Sequence, residues 1–137
     1  MSIVDKIKNV INDVKENIDI KKTVSNAINE TSHLLEKNVA YLINTKEDVV
    51  KYNTDFFTIS RGMVNVMSGI RGIDIWANFT EEESGKVIVE LRSSKYNVNQ
   101  IAVKYGGGGH KFASGATIDN LNVINDVLKD LDNLMEE

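Results

Sequence analysis

Four consecutive glycines, Gly106-Gly107-Gly108-Gly109, run directly into His110-Lys111 and on to Ser114-Gly115. A main chain without Cβ atoms admits φ > 0 and lets a ligand approach very closely. Successive amides in such a chain form a concave nest for anions. His110 and Lys111 add donors at its exit, Ser114 adds a hydroxyl, and Gly115 leaves space. The set suits a phosphate that is already partly neutralised. The glycines alone also read as a flexible turn, because each weakens regular structure by roughly 0.5–1 kcal/mol against alanine. The imidazole and hydroxyl that follow at once favour anion binding.

Arg92 closes an alternating run in which Val87, Val89 and Leu91 share one face. A planar guanidinium grips phosphate with two parallel hydrogen bonds, which lysine cannot do. The plain alternative is a solvated arginine at a strand end. Lys111 is balanced between solvent and phosphate. Trp76 offers a surface for base stacking, but its alternating strand favours packing against a helix. Glu81-Glu82-Glu83 reads as a solvated acidic tip, since consecutive turn residues diverge. His33 lies within a helical stretch and takes no role.

The chain has 137 residues, 42% of them hydrophobic, with a net charge of -4 and a pI near 5.2. That balance excludes broad, sequence-independent duplex binding, which needs many phosphate-neutralising cations. A few local groups still suffice for a small anion. With no cysteine, disulfides, thiol catalysis and cysteine-based metal sites are excluded. No apolar run reaches the ~20 residues that cross a bilayer, so no membrane association is expected. Met1-Ser2-Ile3-Val4-Asp5-Lys6 does not resemble a secretory signal. The expected location is the cytoplasm.

These residues need elements to hold them. All nine glycines lie between Gly62 and Gly115, and the first sixty residues have none. The shift divides the chain into a helical N-terminal appendage or connector, residues 1–37, and an α/β body, residues 38–137. Ile3, Ile7, Val10, Ile11, Val14 and Ile18 make one amphipathic helix, with Ser2 as its N-cap. A second helix is expected over Lys21–Glu36. Asn38–Ile43 reads as a strand, and Thr45 with Asp48 caps a short helix through Tyr52. Phe56–Ile59 is ambiguous, and Arg61–Ile70 reads as a helix. A hairpin pairs Ile73–Phe79 with Val87–Arg92 across Thr80–Gly85. A helix over Asn97–Tyr105, a strand over Ala113–Ile118 and a final helix bearing Ile124, Val127, Leu128, Leu131 and Leu134 complete the pattern. The expected fold is α/β, a small mixed sheet flanked by helices.

Gly106 to Gly115 spells Gly-Gly-Gly-Gly-His-x-x-Ala-Ser-Gly, which resembles the signature of the DHH-associated C-terminal domain of DHH phosphoesterases. Gly62-Met63-Val64-Asn65 and Leu91-Arg92-Ser93-Ser94 resemble that family's Gly-x-x-Asn helix and Leu-Arg-Ser strand end, in order and spacing. The likeness spans about Val39 to Ile118. It is strongest to the small-substrate branch, the bifunctional oligoribonucleases or nano-RNases that also act on adenosine bisphosphate (pAp). A related glycine-rich domain closes alanyl-tRNA synthetases without the His-x-x-Ala-Ser-Gly part.

The resemblance implies a division of labour. In that family an N-terminal lobe with Asp-His-His holds manganese and activates water, and the C-terminal lobe grips the substrate. It implies that Arg92 and Ser93 contact the phosphate. The amides of Gly106, Gly107, Gly108 and Gly109, with His110, would bind phosphate near the metals. Ser114 would support that loop, and Asn65 would help bind sugar or base.

One departure is large: the chain has no Asp-His-His and only two histidines. A two-metal site needs several convergent ligands holding ions ~3.5–4 Å apart. No catalytic residue, metal ligand or cofactor is therefore expected within this chain, and it should not hydrolyse anything unaided. Its expected ligand is a short RNA or nucleotide. Its expected protein partners are a catalytic lobe in trans, or a second copy through the N-terminal helices. Two other readings stay open. One is a hydrolase completed by a separate metal-binding subunit. The other is a nucleic-acid or protein interaction module without a defined phosphate pocket.

Overall fold

The computed structural model describes residues 39–51 and 55–136. The two N-terminal helices, the Ser2 cap, His33 and the end of the short helix at Tyr52 lie outside these residues. The described chain forms one mixed five-stranded sheet with helices on both faces. Its strands are β1 (Val39–Asn44), β2 (Ile75–Glu81), β3 (Val87–Ser93), β4 (Gly108–His110) and β5 (Ala113–Ile118), in the order β1-β2-β3-β5-β4. β1 runs parallel to β2, and all other pairs are antiparallel. The fold is the α/β arrangement that the periodicities predict.

Alternation along β3 sends Val87, Val89 and Leu91 to one face and Ile88, Glu90 and Arg92 to the other. The first face carries the larger core. Tyr41, Phe79, Val89 and Leu91 pack there against α2 (Asn99–Lys104) and α3 (Ile124–Leu134) through Ile101, Val127, Leu128 and Leu131. Each such side chain is worth ~1.5–3 kcal/mol when fully buried. Tyr105 donates to Asp130 at 2.6 Å and Lys104 pairs with it at 2.8 Å, tying α2 to α3.

The opposite face is covered only over β1 and β2. Ala40, Leu42 and Trp76 meet Met63, Val64, Met67, Ile70 and Ile73 from the preceding segment. Trp76 thus packs beneath that segment. Every residue of β2 is buried, the polar ones included. Both faces are dry because α2 and α3 cover one and residues 63–73 cover the other. Asn78 makes this tolerable. Its amide donates to the carbonyls of Ile59 (2.5 Å) and Ser60 (2.6 Å), and its oxygen accepts from Asn44 (2.7 Å).

Several boundaries differ from expectation. The helix expected at Arg61–Ile70 begins at Phe56 and gives way to an extended Ser68. It is a π turn over Thr58–Gly62 followed by a 3-10 turn over Asn65–Met67. Asp55 sets its start, accepting from the Thr58 amide at 2.9 Å and hydroxyl at 2.7 Å. Strand β2 runs two residues further than predicted, so Glu81 is not part of the acidic tip. It is buried and accepts the Lys46 amide at 3.0 Å, capping α1 (Lys46–Lys51). Thr45 and Asp48 cap the same helix reciprocally, as their spacing predicts.

Candidate phosphate-binding site

Beyond the covered part, the second face of the sheet opens into a depression of about 700 Å³. Its floor is β3 and β5. Glu90 and Arg92 lie opposite Gly115 and Ala113 in the register, so the floor opposite Glu90 carries no side chain. Its wall is the turn Gly106–His110, and Arg61 stands on its rim. Arg92 and the glycine turn, distant in sequence, therefore face one volume.

The turn is more ordered than a loose loop. Gly106 and Gly107 end α2: their amides donate to the carbonyls of Val103 (3.0 Å) and Ala102 (2.8 Å). Gly106 has φ +82°, the left-handed conformation that closes helices at low cost only in glycine. Gly107 lies against β5 so tightly that a Cβ would collide with the Gly115 carbonyl oxygen. Gly108–His110 then forms β4, a strand that the glycine run did not predict, paired with Ala113–Gly115. As an edge strand it turns only alternate amides toward its partner, leaving the intervening ones to face outward. The four-amide nest thus narrows. The Gly106 and Gly107 amides are spent inside the fold, and Gly108–His110 supplies the free edge.

His110 is exposed at the end of that edge. Its carbonyl accepts the Ser114 hydroxyl at 2.5 Å, which fixes the turn from beneath. Arg92 is half-sunk, with 16% of its side chain exposed. Its Nη1 donates to the Leu91 carbonyl at 2.8 Å and to Glu90 Oε2 at 3.2 Å. Lys111 lies over the exposed Phe112 ring, 5.2 Å from its centroid, and does not line the depression.

Two residues singled out in the sequence stand elsewhere. Ser93 follows Arg92 and so faces the other way. Its Oγ accepts the amides of Lys95 (3.0 Å) and Tyr96 (2.7 Å), shaping the turn after β3. Asn65 is exposed on the 3-10 turn, away from the depression. Conversely, Glu90 and Arg61 belong to the site and were not found from the sequence. Glu90 sits between Val89 and Leu91, where alternation makes any polar residue look solvated. Arg61 carries no motif of its own beside Gly62.

The lining offers one carboxylate, Glu90, and one imidazole, His110. Among the described residues no three His, Asp or Glu side chains converge as a metal site would require. The manganese of the resembled enzymes does not fit these residues. Also among the described residues, no helix is long and apolar enough to cross a membrane.

A mixed sheet whose strand-end arginine and glycine turn share one depression defines an α/β domain with an open, glycine-lined surface on one sheet face. A family profile described as the DHHA1 domain matches residues 57–137. The chain belongs to the DHHA1 domain family. It is 49% identical over 67 residues to the bifunctional oligoribonuclease and PAP phosphatase NrnA of Mycoplasma genitalium, covering 49% of this chain and 21% of that protein. It is 35% identical over 104 residues to the enzyme of the same name from Bacillus subtilis, covering 76% of this chain and 33% of that protein. The chain thus spans a third or less of the length of these relatives. A crystal structure of an exopolyphosphatase-related protein from Bacteroides fragilis shares the fold, with a TM-score of 0.64 at 23% identity, over 96% of this chain and 36% of that one.

Proposed function

We propose that the depression is the substrate-gripping surface of a DHH-type phosphoesterase, holding a terminal phosphate of a short oligoribonucleotide or a pAp-like nucleotide. The observation that carries this reading is the convergence of Arg92 and the Gly108–His110 edge on one volume. Arg92 supplies the formal charge, the outward amides of β4 supply neutral donors, and the His110 imidazole closes the set. Together they match a phosphate oxygen array without carrying a nucleophile. The relatives' names point to the same ligand class.

Hydrolysis belongs, on this reading, to a metal-bearing DHH lobe that meets this surface across a cleft, in the same polypeptide or in trans. The share of the relatives that the chain covers favours that division. Manganese is a requirement of the assembled enzyme and not of this domain. The cysteine-free composition suits a cytoplasmic setting.

The test is calorimetric titration of the chain with pAp and with a dinucleotide, repeated for Arg92→Ala and His110→Ala. Saturable binding that both substitutions weaken supports the reading. Equal binding by wild type and variants refutes it. Affinity that grows with oligonucleotide length and ignores the terminal phosphate would instead mark an interaction module.

A further inference from the structure

Arg61 has no part in the phosphate grip described above, yet it stands on the rim of the same depression. Its side chain is 60% exposed, so solvent alone would leave it free to sample many rotamers. Two contacts hold it in one place. Its Nε donates to Glu90 Oε1 at 3.4 Å, and its guanidinium lies 5.2 Å from the centroid of the Phe57 ring. The backbone beneath it is pinned as well. Buried Asn78 takes the carbonyls of Ile59 and Ser60, the two residues before Arg61 in the π turn. Such turns are rare and are frequent at functional sites.

Glu90 is the other half of the arrangement. Its side chain is only 8% exposed, and its two oxygens face different arginines, Oε1 toward Arg61 and Oε2 toward Arg92. A buried carboxylate needs such partners, because an unpaired buried charge is costly. The pair of guanidiniums outweighs it, so the lining keeps a net positive charge. Among the described residues the two Nη groups of Arg61 have no hydrogen-bond partner. They are the fork that binds an anionic oxygen pair. The depression, at about 700 Å³, is far larger than one phosphate needs.

We infer that Arg61 is a second anion-binding residue, and that Glu90 is a positioning residue presenting both guanidiniums. One phosphate sits at Arg92 and the β4 edge, and a second, separate phosphate of the same nucleotide sits at Arg61. The site thereby prefers a nucleoside bisphosphate or a dinucleotide over a monophosphate. This rests on the phosphate-binding reading above and adds the element of selectivity.

The experiment is titration of the full chain with adenosine 3′,5′-bisphosphate and with adenosine 5′-monophosphate, for wild type, Arg61→Ala, Glu90→Gln and Arg92→Ala. Wild type should bind the bisphosphate about tenfold or more tightly than the monophosphate, the value of one charge-assisted contact. Arg61→Ala should erase that preference, weakening the bisphosphate about tenfold more than it weakens the monophosphate. Glu90→Gln separates positioning from charge. If Glu90 merely subtracted charge, its neutralisation would strengthen both ligands; as a positioning group, its loss lowers the bisphosphate preference. Circular dichroism melts establish that each variant is folded. An unchanged bisphosphate preference in Arg61→Ala overturns the inference and leaves the phosphate grip standing if Arg92→Ala still weakens both ligands. Wild type that binds neither ligand overturns both.

Discussion

Arg92 is anchored on one side and open on the other, and that asymmetry carries the residue-scale expectations. Its Nη1 is committed to Glu90 and to the Leu91 carbonyl. The remaining donors of the fork are available to a ligand. Hydrogen bonds to charged groups are worth ~1.5–3 kcal/mol, so Arg92→Ala should weaken pAp roughly 10- to 100-fold in a titration. Arg92→Lys should recover only part of that loss, since an ammonium cannot bind bidentately. The residue type and its place at a strand end were legible in the amino-acid sequence. Its partner Glu90 was not, because a carboxylate between Val89 and Leu91 shows its burial only once β5 and Arg61 close around it.

Tyr105 gives a second expectation at this scale. Burial, and then its hydrogen bond to Asp130, hold its phenol well above the ordinary value of 10.0. A raised folded value means a contribution that is complete below the unfolded value near 10.0 and is lost as pH rises through the folded one. Tyr105 should therefore ionise late in an alkaline ultraviolet titration, above the ordinary value of 10.0 and together with loss of the fold. Tyr105→Phe should remove that late step and leave the domain less sensitive to alkali.

At the scale of elements, the turn from α2 into β4 is the decisive piece. Gly107 touches β5 backbone, which cannot yield, whereas nothing lies within 4 Å of a Cβ on Gly108. Gly107→Ala should therefore detach β4 from β5, lower the melting temperature and abolish phosphate binding. Overpacking of this kind costs about 1–3 kcal/mol or more. Gly108→Ala should melt close to wild type, so a thermal comparison of the two variants checks the argument directly. Glycine content announced an unusual turn here. That it would spend two amides on a helix end and build an edge strand was not announced, because both depend on where β5 lies. The same holds for the segment from Phe56. Its first residues are ambiguous in the sequence and a helix is expected only from Arg61, whereas the π turn over Thr58–Gly62 is held by Asn78, from a strand that comes later in the chain, which takes two of its carbonyls.

For the whole molecule, the sheet divides labour between its faces. One face is a continuous dry core against α2 and α3, and the other is dry over β1 and β2 and open over β3 and β5. The site is therefore a surface of the same sheet whose reverse side stabilises the domain. Leu131 is fully buried on that reverse side. Leu131→Ala should cost ~2–5 kcal/mol in denaturant unfolding, as truncation of a packed aliphatic residue does. Where the variant stays folded, nucleotide affinity should be nearly unchanged, because no atom of Leu131 reaches the depression.

Local patterns were enough to specify the class of fold, four of its five strands, the Thr45 and Asp48 caps of α1 and the glycine run with the imidazole that follows it. Each of these depends on neighbours a few residues apart, whose spacing is written in the chain. Which donors face the ligand, which serine is spent on a turn, and which arginine joins the site from a distant segment depended on strand register and on the packing of both sheet faces. Those are long-range choices, settled when Arg61, Glu90, Arg92 and the Gly108–His110 edge are brought around one volume. A linear periodicity holds no record of them.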